Sequence, residues 1–310
     1  MQRVPKAGHA PLLHEPRKAI VTVDADIRAD ACGSTLRCRP RLQPPLEGTS
    51  MNSDRSTGGT AAIRRSTRLL ACGLAFVAGS ALAQGGPPMV TDDPGTPGDG
   101  HWEINLGAIA TRMPHRREVA APDADINYGW GERVQLKIDI PWVFSRDDGE
   151  PWKSGFGDGV VGVKWRFIDA ERAGFSMSTY PQYTRSVLDS SARRGVAGTG
   201  HEFFLPLEVA GELGAFDLAA ELGRNFVSGD SANQWVAGIV AGHGCGEGVG
   251  CLAEVHTTHS ALASATLLNV GVHWKISDNL TFLGAAGHEF GTRSDDLRQA
   301  LVYLGIQITR

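Results

Sequence analysis

Strict alternation of apolar and polar residues marks the stretch Arg133-Val134-Gln135-Leu136-Lys137-Ile138-Asp139-Ile140. A period of two is typical of a β-strand with two different faces. The pattern returns from His101 to Thr111, where only Ile109 breaks it, and again from Gln299 to Ile308. We count twelve such segments between residues 101 and 310; because the segment 251–260 is weak, the predicted strand count is twelve or ten. The chain is therefore predicted to be all-β and antiparallel.

Two architectures supply many alternating antiparallel strands: a soluble sandwich or lipocalin, and an outer-membrane barrel. The lengths of the links between the segments distinguish these two architectures. Short links such as residues 130–132 and 214–215 alternate with long ones at residues 145–157 and 186–200. Short periplasmic turns with longer outer loops are typical of outer-membrane barrels. Aromatic residues also gather at the predicted strand ends, as in the two girdles of a membrane barrel.

The polar face of the segments is rich in charge. In a membrane barrel the apolar face contacts lipid and this face lines the lumen. Counted along all strands, eleven acids and five bases share it, which predicts a mild preference for cations in an open lumen. The lumen-facing candidates are Glu103, Asp123, Asp125, Lys137, Asp139, Lys164, Arg166, Glu208, Glu221, Glu254 and Lys275.

The N-terminal part has the features of a leader that precedes the mature protein. Residues 1–83 carry 12 Lys and Arg against 6 Asp and Glu, whereas residues 84–310 carry 18 against 28. An apolar run at residues 69–83 follows three arginines and is too short for a membrane helix, which needs about twenty residues. We predict a signal peptide at residues 51–83, cleaved between Ala83 and Gln84, with residues 1–50 a mis-assigned or disordered extension. Residues 84–100 are then a periplasmic segment before the barrel, residues 101–310.

Two cysteines remain in the predicted mature chain, Cys245 and Cys251, in a glycine-rich link. One pair in an oxidising compartment favours a disulfide over free thiols. A metal site would need further ligands, and His243 is the only candidate nearby.

The opening of the barrel resembles a known family. Residues 91–100 (TDDPGTPGDG) with Trp102-Glu103-Ile104-Asn105 are similar to the start of a bacterial outer-membrane transporter family that also carries a phenol meta-pathway degradation label. Residues 127–129, 155–158 and 162–167 resemble later parts of that family. The resemblance implies an outer-membrane barrel with a transport role. One departure is the last residue, Arg310, where barrels of this kind usually end in an aromatic residue.

Other chemistry has weaker support. His256 and Ser260 share one face of a strand, but neither an oxyanion hole nor a placed acid accompanies them. The glycine-rich residues 155–159 precede a strand rather than a helix, which favours a loop over a phosphate cradle. Asp92 and Asp93 favour a turn over a calcium site. An arginine-rich loop (Arg185, Arg193 and Arg194) is either solvated or in contact with anionic lipid.

These observations predict a porin-like transporter of the bacterial outer membrane that lets small solutes pass without catalysis and without a cofactor. A channel for aromatic or other hydrophobic compounds is the first alternative, an outer-membrane lipid-modifying enzyme the second, and a soluble periplasmic β-protein the third. The expected partners are outer-membrane lipid and a small solute, which includes aromatic compounds. The acidic body of the chain, which has no basic stripe, argues against a nucleic-acid partner.

Overall fold

A computed structural model describes residues 85–228, 232–292 and 297–310. The predicted extension 1–50, the signal peptide 51–83 and the cleavage junction at Ala83 and Gln84 lie outside these ranges. The short helices are α1 (Ala170–Ala173) and α2 (Asp189–Arg193). Neither of them has the length and apolar character needed to cross a membrane. The strands are β1 (Trp102–Arg112), β2 (Arg116–Trp130), β3 (Val134–Asp147), β4 (Lys153–Phe156), β5 (Asp158–Ile168), β6 (Phe175–Thr179), β7 (Gln182–Ser186), β8 (His201–Leu213), β9 (Phe216–Val227), β10 (Gln234–Gly246), β11 (Val249–His259), β12 (Ser264–Ser277), β13 (Leu280–Gly291) and β14 (Ala300–Thr309).

The strands form one antiparallel sheet that closes on itself. β1 pairs with β2 on one side and with β14 on the other, and the Trp102 amide donates to the Arg310 carbonyl at 2.7 Å. β4 with β5, and β6 with β7, each occupy the place of one strand, because β3 and β8 pair with both parts of their neighbour. The structure is therefore a closed barrel of twelve strands. Closure removes the exposed sheet edges that would otherwise seek partners.

The two strand interruptions have local causes. β4 and β5 part at Gly157, whose position leaves no room for a side chain, because a Cβ there would lie 2.7 Å from the Val143 side chain. β6 and β7 part at Tyr180 and Pro181, and proline has no N–H to donate to a ladder. The ladder is still bridged at this point, since the Val163 amide donates to the Pro181 carbonyl at 3.1 Å.

The two faces of the sheet are inverted relative to a soluble protein. Outward-facing Ile239 and Val270 are 58% and 62% exposed, whereas inward-facing Lys164 and Glu208 are almost completely buried. Only an exterior covered by lipid makes this arrangement favourable, because apolar surface in water and charge in a dry interior both cost free energy. The predicted transmembrane barrel, with its apolar outside and polar inside, is the observed fold.

Details of the strands differ from the sequence prediction at two places. β11 is a full strand over Val249–His259, so the weak segment 251–260 counts and the total is twelve. The predicted long link 145–157 is largely strand, because β3 runs to Asp147 and β4 begins at Lys153. The break in alternation at Ile109 corresponds to a β-bulge in the β1–β2 ladder between Gly107 and Ile109.

Candidate functional site

The chain before β1 enters the barrel at the end that carries the short turns. The Thr96 hydroxyl donates to the Glu132 carbonyl at 2.9 Å, and the Asp99 carboxylate accepts from the Gly131 amide at 2.8 Å. Gly129 has to be glycine, because a Cβ there would overlap the Gly98 carbonyl. The segment is thus fastened to the β2–β3 turn at the mouth before it continues inward.

Residues 86–94, here called the inserted segment, lie against the inner wall of the barrel. A turn shapes the segment, since the Gly86 amide donates to the Thr91 carbonyl and the Met89 amide to the Gly86 carbonyl, each at 2.8 Å. Met89 and Thr91 are buried. Residues 84–100 are predicted to form a periplasmic segment, whereas residues 86–94 contact lumen-facing side chains of the barrel wall.

Glu254 on β11 holds the tip of the inserted segment. Its carboxylate accepts hydrogen bonds from the amides of Val90 at 3.0 Å and Thr91 at 2.5 Å. The Asn269 side chain donates to the other carboxylate oxygen at 3.0 Å. Backbone amides that leave water need such acceptors, because an unpaired buried N–H is costly.

Lys164 on β5 binds the C-terminal part of the inserted segment. Its ammonium lies 2.8 Å from the Asp92 carboxylate, 3.6 Å from the Glu208 carboxylate and 4.6 Å from the centre of the Tyr180 ring, and it also donates to the Asp93 carbonyl. Glu208 accepts in turn from the Ser178 hydroxyl at 2.5 Å. A buried lysine requires this number of partners, because an isolated charge in a low-dielectric interior is strongly disfavoured.

Glycines in the wall make room for the inserted segment. A Cβ on Gly238 of β10 would overlap the Thr91 side chain, and a Cβ on Gly271 of β12 would overlap the end of Met89. Both positions face inward, where any larger residue would displace the segment. Both the glycine positions and the charged side chains of the wall therefore match the inserted segment.

Two cavities inside the barrel border the inserted segment. One, at the turn end, has a volume of about 390 Å³ and is lined by six acidic and three basic side chains. The other, at the outer-loop end, has a volume of about 460 Å³ and is lined by six acidic and two basic side chains together with His256. Asp92, Asp125 and Lys137 border both cavities.

Most lumen-facing candidates contact the inserted segment or border the two cavities. Lys137 lies 3.3 Å from the Asp125 carboxylate, to which the side chains of Asn105 and Asn127 also donate. Glu103 borders the cavity at the turn end. Asp123, Asp139 and Glu221 border the outer cavity.

Two candidates stand apart at the turn end of the barrel. Arg166 bonds to Asp169 at 3.1 Å and to the Glu132 carbonyl at 2.7 Å, so it ties neighbouring turns together. Lys275 is 56% exposed and pairs with the turn residue Asp278 at 2.9 Å. The hydrogen bond and the charge of Lys275 lower the pKa of the Asp278 carboxyl. Lys275 thus lies at the mouth rather than beside the inserted segment.

Cys245 and Cys251 form the predicted disulfide, with their Cα atoms 5.9 Å apart. The bond closes the β10–β11 turn, between the last residues of β10 and the first of β11. Among the described residues, no three His, Cys, Asp or Glu side chains group as metal ligands would.

The structure does not join His256 and Ser260 into a catalytic pair. His256 is buried and borders the outer cavity. The Ser260 hydroxyl is used within its own turn, where it accepts from the amides of Leu262 and Ala263, both at 3.1 Å. Within the ranges that the structure describes, no hydrogen bond links the two side chains.

Sequence reasoning missed the partnership between the inserted segment and the wall. Asp92 and Lys164 are 72 positions apart, and Thr91 and Glu254 are 163 apart, so no local pattern connects them. The turn expected at Asp93 is present, since its carboxylate accepts from the Gly95 amide at 2.5 Å. The one sequence signal that this segment has a specific role is the motif at residues 91–100 (TDDPGTPGDG), which resembles the opening of a known transporter family.

The fold and its interior define the class: the chain is an outer-membrane β-barrel. Neither the family models nor the curated proteins match it by sequence. It is similar in structure to an outer-membrane channel from Pseudomonas putida F1, with 10% identity, a TM-score of 0.54, and coverage of 68% of this chain and 96% of that one.

Two further solved structures are similar to the chain at lower scores. The KdgM porin, solved in complex with disordered oligogalacturonate, has 11% identity and a TM-score of 0.46 over 66% of this chain and 98% of the porin. The CymD monoaromatic hydrocarbon channel has 9% identity and a TM-score of 0.39 over 68% and 88%. At 10% identity, the likeness to the channel from Pseudomonas putida F1 supports the fold alone, and the resemblance to the phenol meta-pathway family stays a prediction.

Proposed function

We propose that the chain is a porin-like channel of the bacterial outer membrane through which small solutes pass without catalysis, and that the inserted segment regulates this passage. The observation that carries the proposal is that residues 86–94 border two cavities, one towards each end of the barrel. Both cavities are of the size that small molecules occupy. A shift of the inserted segment joins them into one path.

The lining of the path favours cations and neutral solutes. Acidic side chains outnumber basic ones in both cavities. Walls of low dielectric constant focus such a field, so the concentration of the opposite ion rises within the path. The bases Lys137 and Lys164 temper the effect because they pair with acids at the inserted segment.

Uptake of aromatic or other hydrophobic compounds is the second candidate. The observation in its favour is the apolar part of the outer cavity, where Phe204, Val236, Leu301 and Tyr303 lie on the wall. Aromatic rings stack favourably on such side chains. A catalytic role has less support, since the Ser260 hydroxyl is engaged in its turn.

A matched pair of glycine variants tests the proposal. Gly238→Ala places a methyl group against Thr91, and rotation of Thr91 does not relieve the overlap because its Cβ also lies within 2.9 Å. Gly250→Ala adds the same methyl group on β11, where nothing lies within 4 Å. We expect Gly238→Ala to raise single-channel conductance in planar bilayers several-fold, and Gly250→Ala to leave it unchanged.

A deletion of residues 85–95 gives the upper limit of this conductance, and liposome swelling with sugars and phenols ranks the solutes. Heat-modifiable migration on a gel verifies that each variant is folded. If the deletion variant folds but conducts no ions and admits no solute, the interior is a filled core and the channel proposal is wrong. If wild type, Gly238→Ala and the deletion conduct equally, the inserted segment does not regulate passage.

A further inference from the structure

Three arginines form a lateral row on the outside of the barrel. The register pairs Arg112 of β1 with Arg117 of β2, and Arg117 with Arg146 of β3. Residues paired directly across an antiparallel ladder share a face, with Cβ atoms about 5 Å apart. Arg146 alternates with the buried Ser145 and shares its side of the strand with the exposed Phe144, so the row faces outward.

The row lies at the upper edge of the apolar surface. The next outward layer below it is Ala110, Val119 and Phe144, which pair across the same three strands. The lowest layer holds Trp102 and Tyr128, whose rings are 4.7 Å apart. The 11 residues from Trp102 to Arg112 span about 33 Å along the strand from first to last Cα, or a height of about 25 Å at a tilt of about 40°. This height equals that of the lipid-facing band, so the row lies where headgroup phosphates begin.

The three guanidinium groups of this row carry the same charge on one face of the sheet. Among the residues that the structure describes, no carboxylate forms an ion pair with Arg112, Arg117 or Arg146. The inward face of the same strand ends is balanced: Arg116 lies 3.0 Å from Glu118 and 3.6 Å from Asp147. Like charges directly opposite each other destabilise a ladder. An anion from the surroundings would relieve the repulsion within the outward row.

We propose that Arg112, Arg117 and Arg146 bind the phosphate groups of a lipid headgroup in the outer leaflet. Guanidinium groups match phosphate by donating two hydrogen bonds in a plane. The exposed Trp152 flanks the row, with the Arg146 guanidinium 5.0 Å from the centre of its ring, and tryptophan prefers this interfacial level. A membrane lipid fits better than free phosphate, because the arginines adjoin the apolar layer that the acyl chains cover.

Binding of lipid A to the detergent-solubilised full-length barrel, measured by native mass spectrometry, tests this inference. Dephosphorylated lipid A serves as the second probe. We expect wild type to bind lipid A at least tenfold more tightly than the dephosphorylated form, and the triple variant Arg112→Gln, Arg117→Gln, Arg146→Gln to lose this preference. Arg172→Gln, in the exposed helix α1 at the opposite end of the barrel, is the matched control and keeps it.

Single replacement of the central residue, Arg117→Gln, covers the case in which the triple variant does not fold, and we expect it to weaken lipid A binding at least threefold. The inference is overturned if wild type binds both probes equally, or if the arginine variants bind lipid A as wild type does. It is also overturned if millimolar inorganic phosphate displaces lipid A completely, since the row then recognises free phosphate rather than a lipid.

Discussion

At the scale of residues, Lys164 joins the inserted segment to the wall. Its ammonium is shared between Asp92, which belongs to the segment, and Glu208, which belongs to β8. A complete buried ion cluster contributes little net stability. Removal of one member costs much more, because the remaining charges are left uncompensated. The inserted segment is therefore sensitive to any change in this one side chain.

Replacement of Lys164 by methionine tests that sensitivity. Lys164→Met leaves two carboxylates without their cation, a loss that costs about 3–5 kcal/mol when a buried pair is broken. We expect the segment to leave the wall, so that limited proteolysis cuts residues 85–97 at least tenfold faster than in wild type. Lys153→Met is the control, since its partner Asp147 is 3.6 Å away and half-exposed, and such pairs contribute at most about 1 kcal/mol. Equal cutting rates in Lys164→Met and wild type would contradict the assigned contacts.

At the scale of elements, the barrel is a set of hairpins whose registers are fixed by alternation, with local exceptions where glycine or proline interrupts the ladder. The bulge at residues 107–109 lies where Tyr303 points inward, and a Cβ on Gly107 or Gly305 would lie 2.8 Å from its ring. The two glycines thus give the ring its space. Both sides of this contact lie on strands that close the barrel, β1 and β14.

The β10–β11 hairpin carries a disulfide at its turn, a covalent clip that we expect the barrel to fold without. The disulfide closes a loop over a sequence separation of 6, which by chain entropy stabilises by about 2 kcal/mol. The ladder between β10 and β11 continues well beyond the clip, to Trp235 and His259. We expect Cys245→Ser to retain the folded barrel, with heat-modifiable migration on a gel and only a modestly lower urea midpoint. Complete loss of the folded form in this variant, at normal expression, would show that the clip is required for assembly.

At the scale of the whole molecule, the sign of the interior charge sets ion preference. Acids exceed bases in both cavities, so we expect reversal potentials in a KCl gradient to show mild cation selectivity. The selectivity should weaken between 0.1 M and 1 M salt, as the Debye length falls from about 10 Å to about 3 Å. The deletion of residues 85–95, which also removes Asp92 and Asp93, is the comparison with fewer acids and should be less selective. Anion preference at low salt would contradict the assignment of these charges to the path.

The sequence by itself determined the two-faced strands, because a period of two can satisfy lipid on one side and polar groups on the other only in a barrel. The sequence also predicted the disulfide, because Cys245 and Cys251 are the two cysteines of the predicted mature chain and lie close together in sequence. Tertiary structure alone decided that residues 86–94 lie inside, that Lys164 meets Asp92, and that three arginines fall side by side. The physical reason is that these contacts depend on strand register and barrel closure, which bring together residues that no local pattern relates.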